Sequence, residues 1–400
     1  MDVFVARQPI FDRRQQVVAY ELLYRRCGEH NRAEIGNPDE ATSEVFLNSF
    51  MEIGLDRVTA RRRAYINLTR TFLLNHHLLP FDADNITLEV LEDIEPDPAL
   101  LDALRKLRAE GYEIALDDFL YRPELAPLVE LADVVKLDIR QLDEQGLIEH
   151  AQMLRGQNKR LLAEKVETHA EFANCMELGF ELFQGYFFCQ PLILSGRRAS
   201  PSRVATLQLL KKINDPEFKF EELAEIISTD ATLAYKLLRY VNSAHFNLRR
   251  KIESLEHALV MLGQKHVRFW LNLISLSRMS EKNRELMVTT LVRAKFAEQL
   301  AIHLRREEEK DKYFLAGLFS AIDALVEIPM EEVLEQIAIA DDTREGLLHR
   351  SGPIGTVLTL IQAVERGRWE EADWMGLTVS QINAAYLEAL SWSESVLTLL

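Results

Sequence analysis

Residues 113–119 read EIALDDF, and this stretch decides the fold. A short apolar run, Glu113–Leu116, ends abruptly on two carboxylates, Asp117 and Asp118. Just upstream, residues 99–109 place Leu100, Leu101, Leu104 and Leu107 on one helical face, and Gly111 follows as a C-cap. Just downstream, Val134–Leu137 is another short apolar run ending in charge. The same alternation extends outward through Ala64–Leu68, Ile86–Leu91, Leu161–Ala163 and Glu181–Phe183. At the start of the chain, Val3–Val5 and Val17–Leu23 read as a strand pair joined by a polar turn around Asp12. Strands alternating with helices imply a parallel sheet, and this many repeats predict a closed, TIM-like (β/α) barrel.

The second half has no such alternation. Residues 231–240, 255–262, 267–276, 291–304, 314–325 and 357–364 all carry helical apolar spacing, which predicts an all-α bundle. The fold class is therefore α/β plus all-α, with a barrel over 1–195, a linker at 196–202 marked by SGRRASPS, and a helical domain over 203–400. Of the 400 residues, 48% are hydrophobic and 28% charged, which is globular composition. No run approaches the roughly 18 uninterrupted apolar residues of a membrane span. The opening MDVFVARQPIF lacks a secretory pattern, so the cytoplasm is the expected location. The net charge is −16, with 23 basic against 34 acidic side chains in residues 1–200 and 24 against 29 in the rest. Neither half is a basic nucleic-acid footprint. Three cysteines, Cys27, Cys175 and Cys189, show no CxxC spacing and argue against a disulfide framework or a zinc site.

The chemistry lies in what ends each apolar run of the first half. In chain order the endings are Glu21, Asn67, Glu89, the pair Asp117 and Asp118, Lys136, Glu164 and Gln184. Parallel barrel strands bring their C-terminal ends to one mouth. A single acidic strand end is ordinarily just solvated, but seven consecutive polar endings point to a site. Glu21, Glu89, Asp117, Asp118 and Glu164 would repel one another there unless cations neutralise them. Oxygen ligands without His or Cys favour Mg²⁺ or Mn²⁺, and two such ions serve phosphodiester hydrolysis. Lys136 would neutralise a phosphoryl oxygen or orient water, and Glu164 would take the water's proton.

These motifs carry a family resemblance. ARQPIFD with YELLYR, YINLT, LEVLED, ALDDF, VVKLD, AEKVET and FQGYFFCQPL follow, in order, the motifs of the EAL domain. That barrel hydrolyses the bacterial second messenger cyclic di-GMP. The resemblance implies Glu21, Asn67, Glu89 and Asp117 as metal ligands, with Asp118 bridging to a second metal. It implies Glu164 as general base, Lys136 and Gln184 as residues positioning water and ligand, and Arg25 as a phosphate contact. Pairing of two barrels into a homodimer is implied by the resemblance alone.

The departures from the pattern are local. The glycine-rich loop that follows Asp-Asp-Phe in the family is here Leu120, Tyr121, Arg122 and Pro123, and Pro123 restricts the backbone. The signature Ala is Leu22, and the Pro-x-x-Phe-Ile segment of the family is missing between Glu21 and Asn67. The glycine of AEGVE is Lys165, a cation that either depresses the Glu164 pKa or substitutes for a metal's charge. An acidic mouth without metal is expected to draw Lys165 or Arg122 inward.

The helical half resembles the HDOD domain, a relative of HD phosphohydrolases. TDATLAYKLLRYVNSAHF supplies Asp230, Leu233, Leu237, Asn242 and Ser243, and KIESLEHALVMLG ends at Gly263. Where HD enzymes carry a His-Asp metal dyad, LAGLFSAIDAL has Ser320 and Ala321, with Asp323 expected further along the same helix. This half is expected to act by contact with an unidentified signalling protein. Trp270, Trp369, Trp374 and Trp392 are expected as packing anchors.

Three readings follow. The altered loop and Lys165 favour a regulatory protein whose barrel binds cyclic di-GMP or a partner, with the helical half as output; this is the first reading. The complete residue inventory favours the alternative, an active Mg²⁺- or Mn²⁺-dependent phosphodiesterase that yields the linear dinucleotide. A scaffold that binds no nucleotide is the third reading.

Overall fold

The computed structural model describes residues 3–26, 55–75, 83–189, 201–215, 217, 219–229, 231–242, 252, 254–277, 284–337, 339–369 and 372–397. Cys27, Asp230 and Ser243 lie outside the described residues, as does the part of the expected linker at 196–200. Residues 201 and 202 open the helix Pro201–Asn214. The chain divides into two compact units, one of residues 1–190 with 362–383 and one of 191–361 with 384–400.

The first unit is built on a closed eight-stranded barrel. Its strands are β1 (Val3–Asp12), β2 (Val17–Arg26), β3 (Arg63–Leu68), β4 (Ile86–Val90), β5 (Glu113–Leu116), β6 (Val134–Asp138), β7 (Arg160–Glu164) and β8 (Leu182–Gln184). Strands β2 to β8 run parallel to their neighbours, but β1 is antiparallel to both β2 and β8. The antiparallel β1–β2 pair is the strand pair expected across the polar turn at Asp12. The cause is the connection from Asp12 to Val17, far too short for a crossover of about a dozen residues. Asp12 Oδ1 closes this turn by accepting from the backbone N–H of Arg14 and of Gln16, each at 2.8 Å.

The helices outside the barrel start where the sequence offers caps. Asp97 accepts from Leu100 N–H at 2.9 Å to open Pro98–Ala109, and Asp143 accepts from Gly146 N–H at 2.8 Å to open Glu144–Gly156. Thr168 and Glu171 form a capping box for His169–Leu178. Gly111, with φ +96°, turns the chain out of the first of these helices. Leu100, Leu104 and Leu107 are buried there, while Leu101 is only half-buried.

Inside the barrel, Ile10, Ala19, Tyr65, Ala115, Val134, Leu162 and Leu182 form one buried cluster. Side chains two apart on a strand share a face. Two residues on from six of these stand Glu21, Asn67, Asp117, Lys136, Glu164 and Gln184. On the reversed β1 the equivalent step is backwards, from Ile10 to Gln8. The apolar layer thus serves as the floor of a polar one.

The second unit is helical. Residues from Pro201–Asn214, Phe220–Thr229, Ala231–Val241 and Leu255–Ser277 share a core that includes Ile213, Leu223, Leu237 and Trp270. Gly263, with φ +70°, breaks the last of these into two helices. Asn242 ties the next segment back, accepting from Ile252 N–H and donating to Ile252 O, both at 2.7 Å. The four tryptophans are buried. The single helix expected over 314–325 is in fact two, Lys310–Phe319 and Ile322–Val326. Ser320 Oγ donates to Gly317 O at 2.8 Å, a local hydrogen bond that competes with the helical ladder. Asp323 therefore sits on a separate short helix, where burial raises its carboxyl pKa and Arg293 and Arg350 oppose the rise.

Candidate active site

Lys136 is the centre of the polar layer. Its side chain is buried, and its Nζ lies 2.6 Å from Asp117, 2.7 Å from Glu89, 3.0 Å from Glu164 and 3.1 Å from Glu21. These carboxylates come from β2, β4, the end of β5 and β7, so the barrel's closure brings them together. Asn67 donates to Glu21 Oε1 at 3.1 Å. Gln184 Nε2 donates to Glu21 Oε2 and to Gln8 Oε1, both at 2.7 Å.

An ammonium has three N–H groups, and four carboxylates surround this one. Among the described residues, Glu89 Oε2 and Glu164 Oε2 are buried and accept no hydrogen bond. The charge balance follows. Burial, with repulsion from Glu21, raises the Glu89 pKa well above the usual carboxylate range despite Lys136. Glu164 is pushed up to about 8, chiefly by burial, with Lys136 opposing and Asp117 adding repulsion. For Lys136, burial works against the charge, but Asp117, Glu164, Glu21 and Glu89 outweigh it and hold the ammonium protonated well above the usual lysine range.

Asp118 stands apart from this ring. Its neighbours are pinned, Asp117 N–H to Val90 O and Phe119 N–H to Lys136 O, each at 3.0 Å. Between them Asp118 takes φ +41° and turns its carboxylate toward Lys165, 3.7 Å away. Lys165 also hydrogen-bonds the buried Asp138. Of the two cations expected to be drawn inward, Lys165 pairs with the acidic rim. Arg122 is exposed and lines a cavity of about 540 Å³ with Glu92, Asp117, Asp118, Leu120 and Leu125. Pro123 opens a short 3₁₀ turn, Pro123–Leu125, in place of a glycine-rich loop.

The sequence-derived residues Glu21, Asn67, Glu89, Asp117, Lys136, Glu164 and Gln184 are thus together, and Asp118 flanks them. Arg25 lies on β2, and its side chain is outside the described residues. Two residues were missed. Gln8 is opposite Glu21 in the β1–β2 register, and Asp138 is two residues beyond Lys136 on the same strand. Period-two counting from Lys136 points to Asp138; Gln8 lies beyond the run Val3–Val5 read as a strand, whereas β1 extends to Asp12.

The donor set is all carboxylate and amide oxygen, which suits a hard divalent ion. Buried oxygens without a hydrogen-bond partner, on Glu89 and Glu164, suit it too. Among the described residues, no three acidic or imidazole side chains close around one ion-sized point, because Lys136 takes the focus of the ring. The residues fit such an ion in kind, and its entry requires the ammonium to yield part of that focus.

A barrel with this carboxylate ring, followed by a helical unit, defines a two-domain class. Residues 48–191 match the EAL domain, and residues 201–351 match the HDOD domain. The chain belongs to the EAL–HDOD family. It is 34% identical to the cyclic di-GMP phosphodiesterase CdgJ of Vibrio cholerae serotype O1 (strain ATCC 39315 / El Tor Inaba N16961) over 400 residues, 98% of this chain and 93% of CdgJ. It is also 34% identical to the uncharacterized protein YuxH of Bacillus subtilis (strain 168) over 408 residues, 99% of each chain. Among solved structures, a standalone EAL protein of Vibrio cholerae O395 in its c-di-GMP-bound form is 26% identical, with a TM-score of 0.38, covering 47% of this chain and 92% of that one. Among the described residues, no helix is long and apolar enough to cross a membrane.

Proposed function

We propose that the barrel is a metal-dependent phosphodiesterase that opens cyclic di-GMP to the linear dinucleotide. The observation that carries this reading is the convergence of Glu21, Glu89, Asp117 and Glu164 on the buried Lys136. The phosphodiesterase CdgJ, similar along nearly the whole chain, supports it. Glu21, Asn67, Glu89 and Asp117 are the residues that would hold the divalent ion, Mg²⁺ or Mn²⁺. When bound, the ion supplies Lewis acidity for a water and for the phosphoryl oxygen. Glu164 takes the proton of the attacking water, whose oxygen bonds to phosphorus as one ester P–O bond breaks, and the departing ribose oxygen takes up a proton from solvent to become a hydroxyl of the linear product. Lys136 sets its charge against the developing negative phosphoryl oxygens. Gln184 fixes Glu21, and Arg25 holds a ligand phosphate.

The regulatory reading is favoured by a different observation. Pro123 stiffens the loop after Asp118, and Lys165 already engages Asp118 and Asp138. On that reading the barrel binds cyclic di-GMP without cleaving it. In either case the helical half, with Ser320 and Ala321 at the dyad positions, acts by contact with a signalling protein; hydrolysis surviving Glu164→Gln and dependent on the helical half would contradict this. Incubating the full chain with cyclic di-GMP and Mn²⁺, followed by chromatography, separates the two barrel readings. Linear product supports the phosphodiesterase, and tight binding without product supports the regulator.

A further inference from the structure

Lys165 stands where the resembling motif has glycine, and its backbone has φ +58°, the left-handed region that favours glycine. Hydrogen bonds on either side fix it there: Ile139 N–H to Glu164 O at 3.4 Å, and Val166 N–H to Gln184 O at 3.0 Å. The strained residue is thus held in place by the ends of three strands. Its side chain is 44% exposed, while the ammonium hydrogen-bonds Asp138, whose side chain is 4% exposed. The second oxygen of Asp138 accepts from Arg140 N–H at 2.8 Å, which fixes that carboxylate. Asp118, also at positive φ, brings its carboxylate within 3.7 Å of the same ammonium.

Two carboxylates, Asp138 at the end of β6 and Asp118 just past β5, thus share one cation tethered to the chain. The ring around Lys136 is separate from this pair. It keeps buried carboxylate oxygens, on Glu89 and Glu164, that accept no hydrogen bond among the described residues and remain available to an incoming ion.

We propose that the Lys165 ammonium is a built-in cation standing in for a second divalent ion at Asp118, so that the barrel takes up one divalent ion, at Glu21, Asn67, Glu89 and Asp117, and not two. This rests on the metal-dependent reading of the site, but not on whether the site cleaves its ligand. Positive charge at Asp118 is then permanent and independent of metal supply, and only the first position responds to divalent-ion concentration.

The test is Mn²⁺ uptake by the full chain without nucleotide, read by metal analysis and by electron paramagnetic resonance. The wild type is expected to hold one Mn²⁺ per chain with the six-line spectrum of an isolated ion. Lys165→Gly, which suits the local backbone, and Lys165→Gln, which keeps the side-chain length, are each expected to hold two, with a spin-coupled spectrum. Lys165→Arg is expected to stay at one. Two coupled ions in the wild type, a single ion in both neutral variants, or no retained Mn²⁺ in any of them would overturn the proposal. Because no nucleotide is present, failure of hydrolysis leaves this result intact, and the reverse also holds.

Discussion

Gln184 and Glu21 are separated by 163 residues and joined by a 2.7 Å hydrogen bond that crosses the closing strand of the barrel. The same Gln184 amide donates to Gln8, so β8, β1 and β2 are bound by one side chain at the level of the carboxylate ring. Replacing Gln184 with Leu removes a buried hydrogen bond to a carboxylate and a half-buried one to Gln8. The expected loss is about 2–4 kcal/mol, measured by urea denaturation. A loss under about 0.5 kcal/mol would mean that this closure does not depend on the side chain.

Lys136→Met leaves the buried carboxylates Glu21, Glu89 and Glu164 without their shared cation. Metal-free protein is expected to lose about 3–5 kcal/mol above pH 8, where Glu164 is ionised and its buried charge is stranded. Millimolar Mn²⁺ is expected to recover part of it, since the ion replaces the missing charge. An unchanged denaturation midpoint without metal would show that the ring is not electrostatically coupled to Lys136.

The pH dependence has a definite sign. In the metal-free site Glu164 is raised to about 8, first by burial, whereas an unfolded glutamate titrates near about 4.3. Between those values the folded protein retains a proton that the unfolded chain has released. Stability from this group is therefore full below the unfolded value and falls as pH rises, by up to about 1.4 kcal/mol per pH unit. The raised Glu89 acts in the same direction. The melting temperature of metal-free protein is expected to drop from pH 5.5 to pH 8, and saturating Mn²⁺ to remove the part due to Glu89, because a ligand carboxylate binds deprotonated. A melting temperature that rises over this interval would contradict the assigned directions.

Gly185 has φ +147°, and a Cβ there would sit 2.0 Å from Val166 O and 2.5 Å from Val166 N. Val166 follows Glu164 by two residues, so relief of the clash moves the carboxylate. Gly185→Ala is expected to destabilise by about 3 kcal/mol and to lower turnover, read by thermal melting and product formation. A variant of wild-type stability would place the close approach elsewhere.

Much of the barrel was legible because its physics is local. Short apolar runs, helix caps at Asp97 and Asp143, and polar residues at strand ends all leave marks within a few positions of one another. The polar layer was legible for the same reason, since Glu21, Asn67, Asp117, Lys136, Glu164 and Gln184 each follow an inward-facing apolar residue by one pleat. What escaped depends on the third dimension. Gln8 is hidden because the polar residues Arg7 and Gln8 end the apolar run Val3–Val5, whereas pairing with β2 carries β1 on to Asp12. Lys136 reads as one polar ending among several, whereas only barrel closure makes it the shared neighbour of four carboxylates. The break at Ser320 escaped because neither glycine nor proline marks it.

The most direct measurement compares the full chain with its Glu164→Gln variant, both saturated with Mn²⁺ and incubated with cyclic di-GMP. The wild type is expected to release linear dinucleotide, and the variant to bind the cyclic form but turn over at least about 100-fold more slowly, as loss of a general base demands. Equal rates in the two proteins, or no product from either, would contradict the hydrolytic role assigned to the ring around Lys136.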